Sequence, residues 1–274
     1  MKKILTFVAA IAITSMVSAQ FYGNVATGRG GQISIYGGIA STSASPQIKY
    51  NTPYTDYWGI TYVWADINAD KVTPILSPAF LLTLQSLKDQ SEKFKIGGGL
   101  GVGFTQCQWQ AQLSAATSGI PNDYTLWSKS NLIDVQMGIE GSYLLSEQFS
   151  IDFAIGPDIL FAAGNQVRSE KSVAGTLIPD DNANNWKKAE KCESISAPSI
   201  DVGAYARIGA NYHFTETMWA GLTFQYHMPF FNFATLVQDE YSKDAFLIAD
   251  DNLIYTDIKH HGWALMLTLG INFE

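Results

Sequence analysis

The sequence predicts an all-β chain folded as an eight-stranded antiparallel up-and-down transmembrane β-barrel, and three observations carry that expectation. Segments of period-two alternation recur along the chain, and the connections between them are long and short in turn. After the first twenty residues no apolar run approaches the 18 or so residues of a membrane-crossing helix. The clearest unit runs from Asn131 to Phe161. Ile133, Val135, Met137, Ile139 and Tyr143 alternate with Asp134, Gln136, Gly138, Glu140 and Ser142. Beyond the link at Ser146-Glu147-Gln148, Phe149, Ile151, Phe153, Ile155, Ile159 and Phe161 alternate with Ser150, Asp152, Ala154, Gly156 and Asp158. Such a pattern on both sides of a tight turn reads as a β-hairpin with one apolar face. Its arms exceed the usual strand of about five or six residues.

Each further strand repeats this unit. The first is expected at Gln32 to Ala40, with Ile33, Ile35 and Ile39 in phase, and the second at about Pro74 to Leu87. Helix formers compete in the second, but Pro74 and Pro78 favour strand. The third sets Phe94, Ile96, Leu100, Val102 and Phe104 against Lys95, Gly97, Gly99, Gly101, Gly103 and Thr105. Strands four and five are the hairpin. The sixth is placed at Ser196 to Phe214, the seventh at Met218 to Asn232, and the eighth carries Trp263, Leu265, Leu267, Leu269, Ile271 and Phe273 on one face. Short turns fall near Asp89, Glu147 and Glu216. Long polar connections fall at Ser41 to Lys71, Gln110 to Lys129, Gln166 to Ser194 and Phe233 to Ile258.

Charged residues make up 15% of the chain, against roughly 25% in an ordinary soluble domain. The formal charge of −8 excludes nucleic acid as the main partner. Lys2 and Lys3, the apolar run Ile4 to Val17, and Val17-Ser18-Ala19 together form a secretory signal peptide at 1–19, cut before Gln20. A soluble eight-stranded barrel would need its polar face in water. Here that face is mostly Gly, Ala and Ser, which suits the inside of a narrow barrel.

These features, with the terminal Leu267-Thr268-Leu269-Gly270-Ile271-Asn272-Phe273, resemble the small outer-membrane β-barrel proteins of Gram-negative bacteria, of the OmpA/OmpX-like class. The resemblance implies an outer-membrane location, lipid as the surrounding solvent, and recognition of the last strand by the barrel assembly machinery. Phe273 matches the terminal aromatic of that class, although Glu274 follows it. The expected organisation is a periplasmic lead at 20–31 and a barrel at 32–274, with no further domain after it.

Four groups of residues could carry function. Lys95, Glu140, Asp152 and Arg207 are expected to point into the lower lumen, where two bases and two acids can pair. They read as a structural plug or as a gate that opens when pairs exchange. Asp134, Asp158, Asp201, His227 and His260, with Ser130 and Ser199 in phase, form an upper polar cluster. That set reads as a hydrated hydrogen-bond cluster, a cation site or a lipid-acting hydrolase. Tyr50, Tyr54, Tyr57, Trp58, Tyr62 and Trp64 crowd the first long connection. They either contact an envelope or extracellular protein or glycan, or belong to the aromatic girdle. Cys107 and Cys192 could form a disulfide in an exported chain. The glycine run from Gly97 to Gly103 fits neither a dinucleotide nor a P-loop spacing, and no cofactor is expected. The reading is a plugged barrel with a structural or interaction role through its long loops. A narrow pore, and a lipid-modifying enzyme or cation-binding barrel, are the alternatives.

Overall fold

The computed structural model describes residues 31–42, 45–48, 54–55, 61–64, 73–117, 120–173, 176–177, 187–188, 200–230, 233–236, 254–258 and 262–273. Eight long strands dominate: β1 Gly31–Thr42, β2 Ser77–Asp89, β3 Phe94–Thr117, β4 Ile120–Leu144, β5 Phe149–Val173, β6 Ile200–His213, β7 Met218–Pro229 and β8 Gly262–Phe273. Each pairs antiparallel with its neighbour in sequence. β8 returns to β1, from Gly31 opposite Phe273 to Thr42 opposite Gly262. The sheet is therefore closed, and its backbone donors and acceptors are paired all the way round. That is the condition for crossing a bilayer with strands.

Closure is staggered. Stepping sideways from Ser142 through Asp152, Gly209, Thr223, Met266, Gly38, Ala79 and Thr105 arrives at Leu132, ten residues along the same strand. Such a stagger tilts the strands by about 35–45° and leaves an interior that side chains can fill. Three tight turns close one end, at residues 90–93, 145–148 and 214–217. Their chemistry is local. Ser146 Oγ accepts from the backbone N–H of Phe149 at 3.2 Å, and Thr215 Oγ1 accepts from that of Met218 at 3.0 Å. A hydroxyl that bonds the backbone a few residues on stabilises a turn in this way.

Alternation sorts the side chains onto two faces. Outward stand Ile33, Ile35, Phe80, Leu82, Val102, Ile155, Ile208, Leu222, Leu265, Leu267 and Leu269, all exposed. Leu267 is 71% exposed. No Asp, Glu, Lys or Arg interrupts this outward set between the two ends of the belt. Exposed rings edge it. Tyr143, Phe149, Tyr212, Phe214 and Phe273 lie near the tight turns, and Phe104, Phe161, Tyr226 and Trp263 near the other end. Phe149, Tyr212 and Phe214 form a run of ring contacts, with centroids 5.2 and 5.4 Å apart. An apolar belt between two aromatic rims is a surface for lipid, because water would leave this area unsolvated.

Several expected boundaries move. Gly31 belongs to β1 and not to the lead. Residues 73–75 form a separate short strand on β3, and β2 begins only at Ser77. Both prolines lack a donor, and the β2–β3 ladder starts at Ala79, just past Pro78. The segment Gln110 to Lys129 is not a loop. β3 runs to Thr117, β4 starts at Ile120, and the two stay in register along that stretch. β5 likewise extends to Val173. Past the belt the outward face turns to Gln106, Gln108 and Gln110, so the apolar signal ends while backbone pairing continues. The β3–β4 hairpin thus rises on the order of 40 Å of strand beyond Thr105. β6 begins at Ile200, four residues later than expected; residues 196–199 lie outside the described residues. A separate small sheet joins residues 45–48, 233–236 and 254–258.

Candidate functional site

The inward face is a packed, polar core. Tyr36, Tyr205 and Trp219 are buried; Tyr205 stands over Gly138 and Trp219 over Gly270, whereas Leu81, Thr83, Asp134, Gln136 and Glu140 stand over Gly99, Gly101 and Gly103. Gly99 lies beneath the Glu140 carboxylate, and Gly270 beneath the Trp219 indole. A Cβ at either position would sit inside those groups. The run of small residues seen in the sequence is the floor on which larger side chains from adjacent strands rest.

At mid-height Arg207 of β6 reaches across to β4. Its Nη2 donates to Glu140 Oε1 at 2.9 Å and its Nη1 to Gln136 Oε1 at 3.2 Å. Gln136 Nε2 in turn donates to Asp134 Oδ2. The guanidinium also stands over the Tyr36 and Tyr205 rings, 4.9 and 5.6 Å from their centroids. Both charged side chains are nearly sealed, at 4% and 5% exposure. A buried pair needs such a shell of donors, acceptors and ring faces, since each uncompensated ion costs several kcal/mol.

The expected set of four inward charges does not form one network. Lys95 sits at the turn-end mouth and pairs with Asp89 at 3.3 Å, both well exposed. Asp152 is held by neutral groups: Asn211 Nδ2 donates to its Oδ2 and Ser150 Oγ to its Oδ1 at 3.3 Å. His213 Nε2 lies 3.0 Å from Ser150 Oγ. Lys95 is one residue from the end of β3, where water reaches it, so a buried partner is not required. Below this level an open vestibule of about 1070 Å³ faces the turns, bordered by Asp89, Lys95, Asp152, His213 and Asn272. Between vestibule and mid-barrel a gap of about 10 Å³ lies beside Glu140, Arg207 and Trp219. That is room for about one water, not for a continuous channel.

The upper cluster is brought together in part. His227 Nδ1 contacts Asp158 Oδ2, and Asp134 lies close by on β4. The side chain of Asp201, and Ser199 and His260, lie outside the described residues. Ser130 is buried, but its Oγ has no hydrogen-bond partner, so it is not joined to His227 as a nucleophile to its base. In the lower barrel Ser150 Oγ donates to Asp152 Oδ1 and stands 3.0 Å from His213 Nε2, below the mid-barrel and apart from the upper cluster. Among the described residues no three His, Cys, Asp or Glu side chains converge on a metal position. Asp134, His227 and Gln225 border a cavity of about 50 Å³ with Thr42, Thr105, Leu132, Leu160 and Ala264. Gln136 and Gln225 were not singled out by sequence. Their signal is that they occupy inward phase among small residues.

Cys107 is buried with a free thiol; Cys192 lies outside the described residues. Of the aromatic residues in the first long connection, Tyr50, Tyr57 and Trp58 lie outside the described residues. Tyr54, Tyr62 and Trp64 fall on short strands at 54–55 and 61–64, the latter paired with the top of β3.

Fold and interior define a class: a closed eight-stranded barrel with a lipid-facing exterior and a side-chain-filled lumen. No protein-family model matches the sequence, and no curated relative does. Among solved structures the chain is similar to the outer membrane protein OprG from Pseudomonas aeruginosa, at 13% identity and a TM-score of 0.39, over 89% of this chain and 96% of that one. It is similar also to the outer membrane protease OmpT from Escherichia coli (10% identity, TM-score 0.37, 89% and 97% covered). A third is Ail, the attachment invasion locus protein of Yersinia pestis (12% identity, TM-score 0.30, 89% and 99% covered). The class stated above rests on the closed strand register and the belt of this chain itself.

Proposed function

We propose that this chain is an outer-membrane barrel whose lumen is a structural plug and whose work is done by the parts that rise above the membrane. The observation that carries this reading is the Arg207–Glu140 pair, sealed between Tyr36 and Tyr205 across the middle of the barrel. A pore needs continuous water at that height, and a packed ion pair with a gap for about one water does not offer it. The signal-peptide pattern at 1–19 and the uncharged outward belt support export and insertion. β3, β4 and β5, at 24, 25 and 25 residues, are far longer than the 9–11 or so residues a bilayer requires. Their extensions form a wall at the end opposite the tight turns, fit to present surface to an envelope or extracellular protein or glycan. The reading is structural and interactive, not enzymatic.

Protease treatment of intact cells tests it. The expected outcome is cleavage in the connections at the long-strand end, with the turns at 90–93, 145–148 and 214–217 cut only after the outer membrane is breached. Cleavage of those turns in intact cells, or recovery of the chain in a soluble fraction, would overturn the orientation or the location.

A further inference from the structure

The upper cavity differs from the rest of the lumen in what it leaves unsatisfied. Asp134 and Gln225 border it and are buried, at 6% and 9% exposure. Asp134 Oδ2 takes the Gln136 amide, but Asp134 Oδ1 and Gln225 Oε1 have no hydrogen-bond partner. Both are acceptors, and one belongs to a carboxyl group. Of the other walls, Thr42 and Thr105 add hydroxyls and His227 its imidazole, already in contact with Asp158, whereas Ala40, Leu132, Leu160 and Ala264 add hydrocarbon. The volume of about 50 Å³ takes roughly three or four water-sized groups.

From this we infer that the cavity is a binding site for a small protonated primary amine, an ammonium head carrying one or two carbons. An ammonium group brings up to three donors and a positive charge to these two unpartnered acceptors, and its alkyl end meets the alanine and leucine wall. A divalent metal fits less well. Among the described residues Asp134 is the one carboxylate that borders the cavity, Asp158 is engaged by His227, and no three acidic, His or Cys ligands converge. The apolar half of the wall would also leave the waters of a hydrated ion without partners.

The test uses the refolded full-length mature chain in detergent micelles. Its thermal midpoint is followed against methylammonium chloride and, at equal ionic strength, tetramethylammonium chloride. The second cation has no N–H donor and exceeds the cavity. A saturable rise with methylammonium alone is expected. Gln225→Met, which removes the acceptor at similar volume, should weaken half-saturation by about tenfold or more. Ala40→Leu, which fills the cavity, should abolish the response. An equal effect of the two salts, no effect of either, or an unchanged methylammonium response in either folded variant would overturn the site. If both variants fail to fold, the contrast between the two salts in the native chain still decides.

Discussion

The two faces of the same strands show how one alternation serves two solvents. On β8 the outward residues Trp263, Leu265, Leu267, Leu269 and Ile271 are exposed, while Ala264, Met266, Thr268 and Gly270 between them are buried. On β4 and β6 the buried residues include Glu140, Gln136 and Arg207. In a water-soluble domain these polarities would be reversed. The difference teaches that burial here is not driven by apolar surface leaving water alone. The interior is held by matched polar groups and packing, and the outside by the lipid that surrounds it.

The largest effect should come from breaking the inside. Glu140→Ala leaves the Arg207 guanidinium sealed without its counter-charge, and unfolding from lipid vesicles should show a loss of about 3–5 kcal/mol. Replacing both partners together, Arg207→Met with Glu140→Leu, should restore most of it. A single variant as stable as the native chain would mean that water already reaches the pair. On the outside, Leu267→Lys places a charge near the middle of the belt and should cost about 2–4 kcal/mol in the same assay. A cost within about 0.5 kcal/mol, normal for an exposed site in water, would remove the lipid-facing reading. Gly99→Leu drives a side chain into Glu140. A cost of about 1–3 kcal/mol is expected, visible also as reduced folded yield, and normal yield and stability would contradict the close packing of the lumen. Smallest should be Gln106→Lys, on the outward face just past the belt. A change within about 0.5 kcal/mol would mark the rim, and a cost like that of Leu267→Lys would move the membrane boundary up the strand.

How much of this could be read from the residues follows the same division. The outward phase of β1, β3, β4, β5 and β8 was legible, because lipid demands an unbroken row of apolar side chains at period two. So was the inward phase of Lys95, Glu140, Asp152 and Arg207. Which of those charges meet was not legible, since pairing depends on strand register. Register sets Glu140 of β4 and Arg207 of β6 against the same β5 residue, Ala154, and Lys95 against Asp89 across a tight turn. The long continuation of β3 to β5 was hidden for a different reason. Beyond the belt the outward face turns to Gln106, Gln108 and Gln110, so the period-two signal fades although the ladder of backbone bonds goes on. In the upper cluster Asp134, Asp158 and His227 came together as their phase allowed. Gln225, which turns that cluster into a bordered cavity, carries no charge and gave no signal of its own.

The central claim, that the middle of the barrel is a packed core and not a water path, is tested most directly by current across planar bilayers. The refolded protein would be inserted at single-molecule density, with insertion confirmed by an independent label. Silence is the result this account predicts for the native chain, with openings appearing when Arg207→Ala or Glu140→Ala loosens the plug. Stable openings of the native chain, altered in size by Arg207→Ala, would contradict the plug and make the barrel a narrow pore.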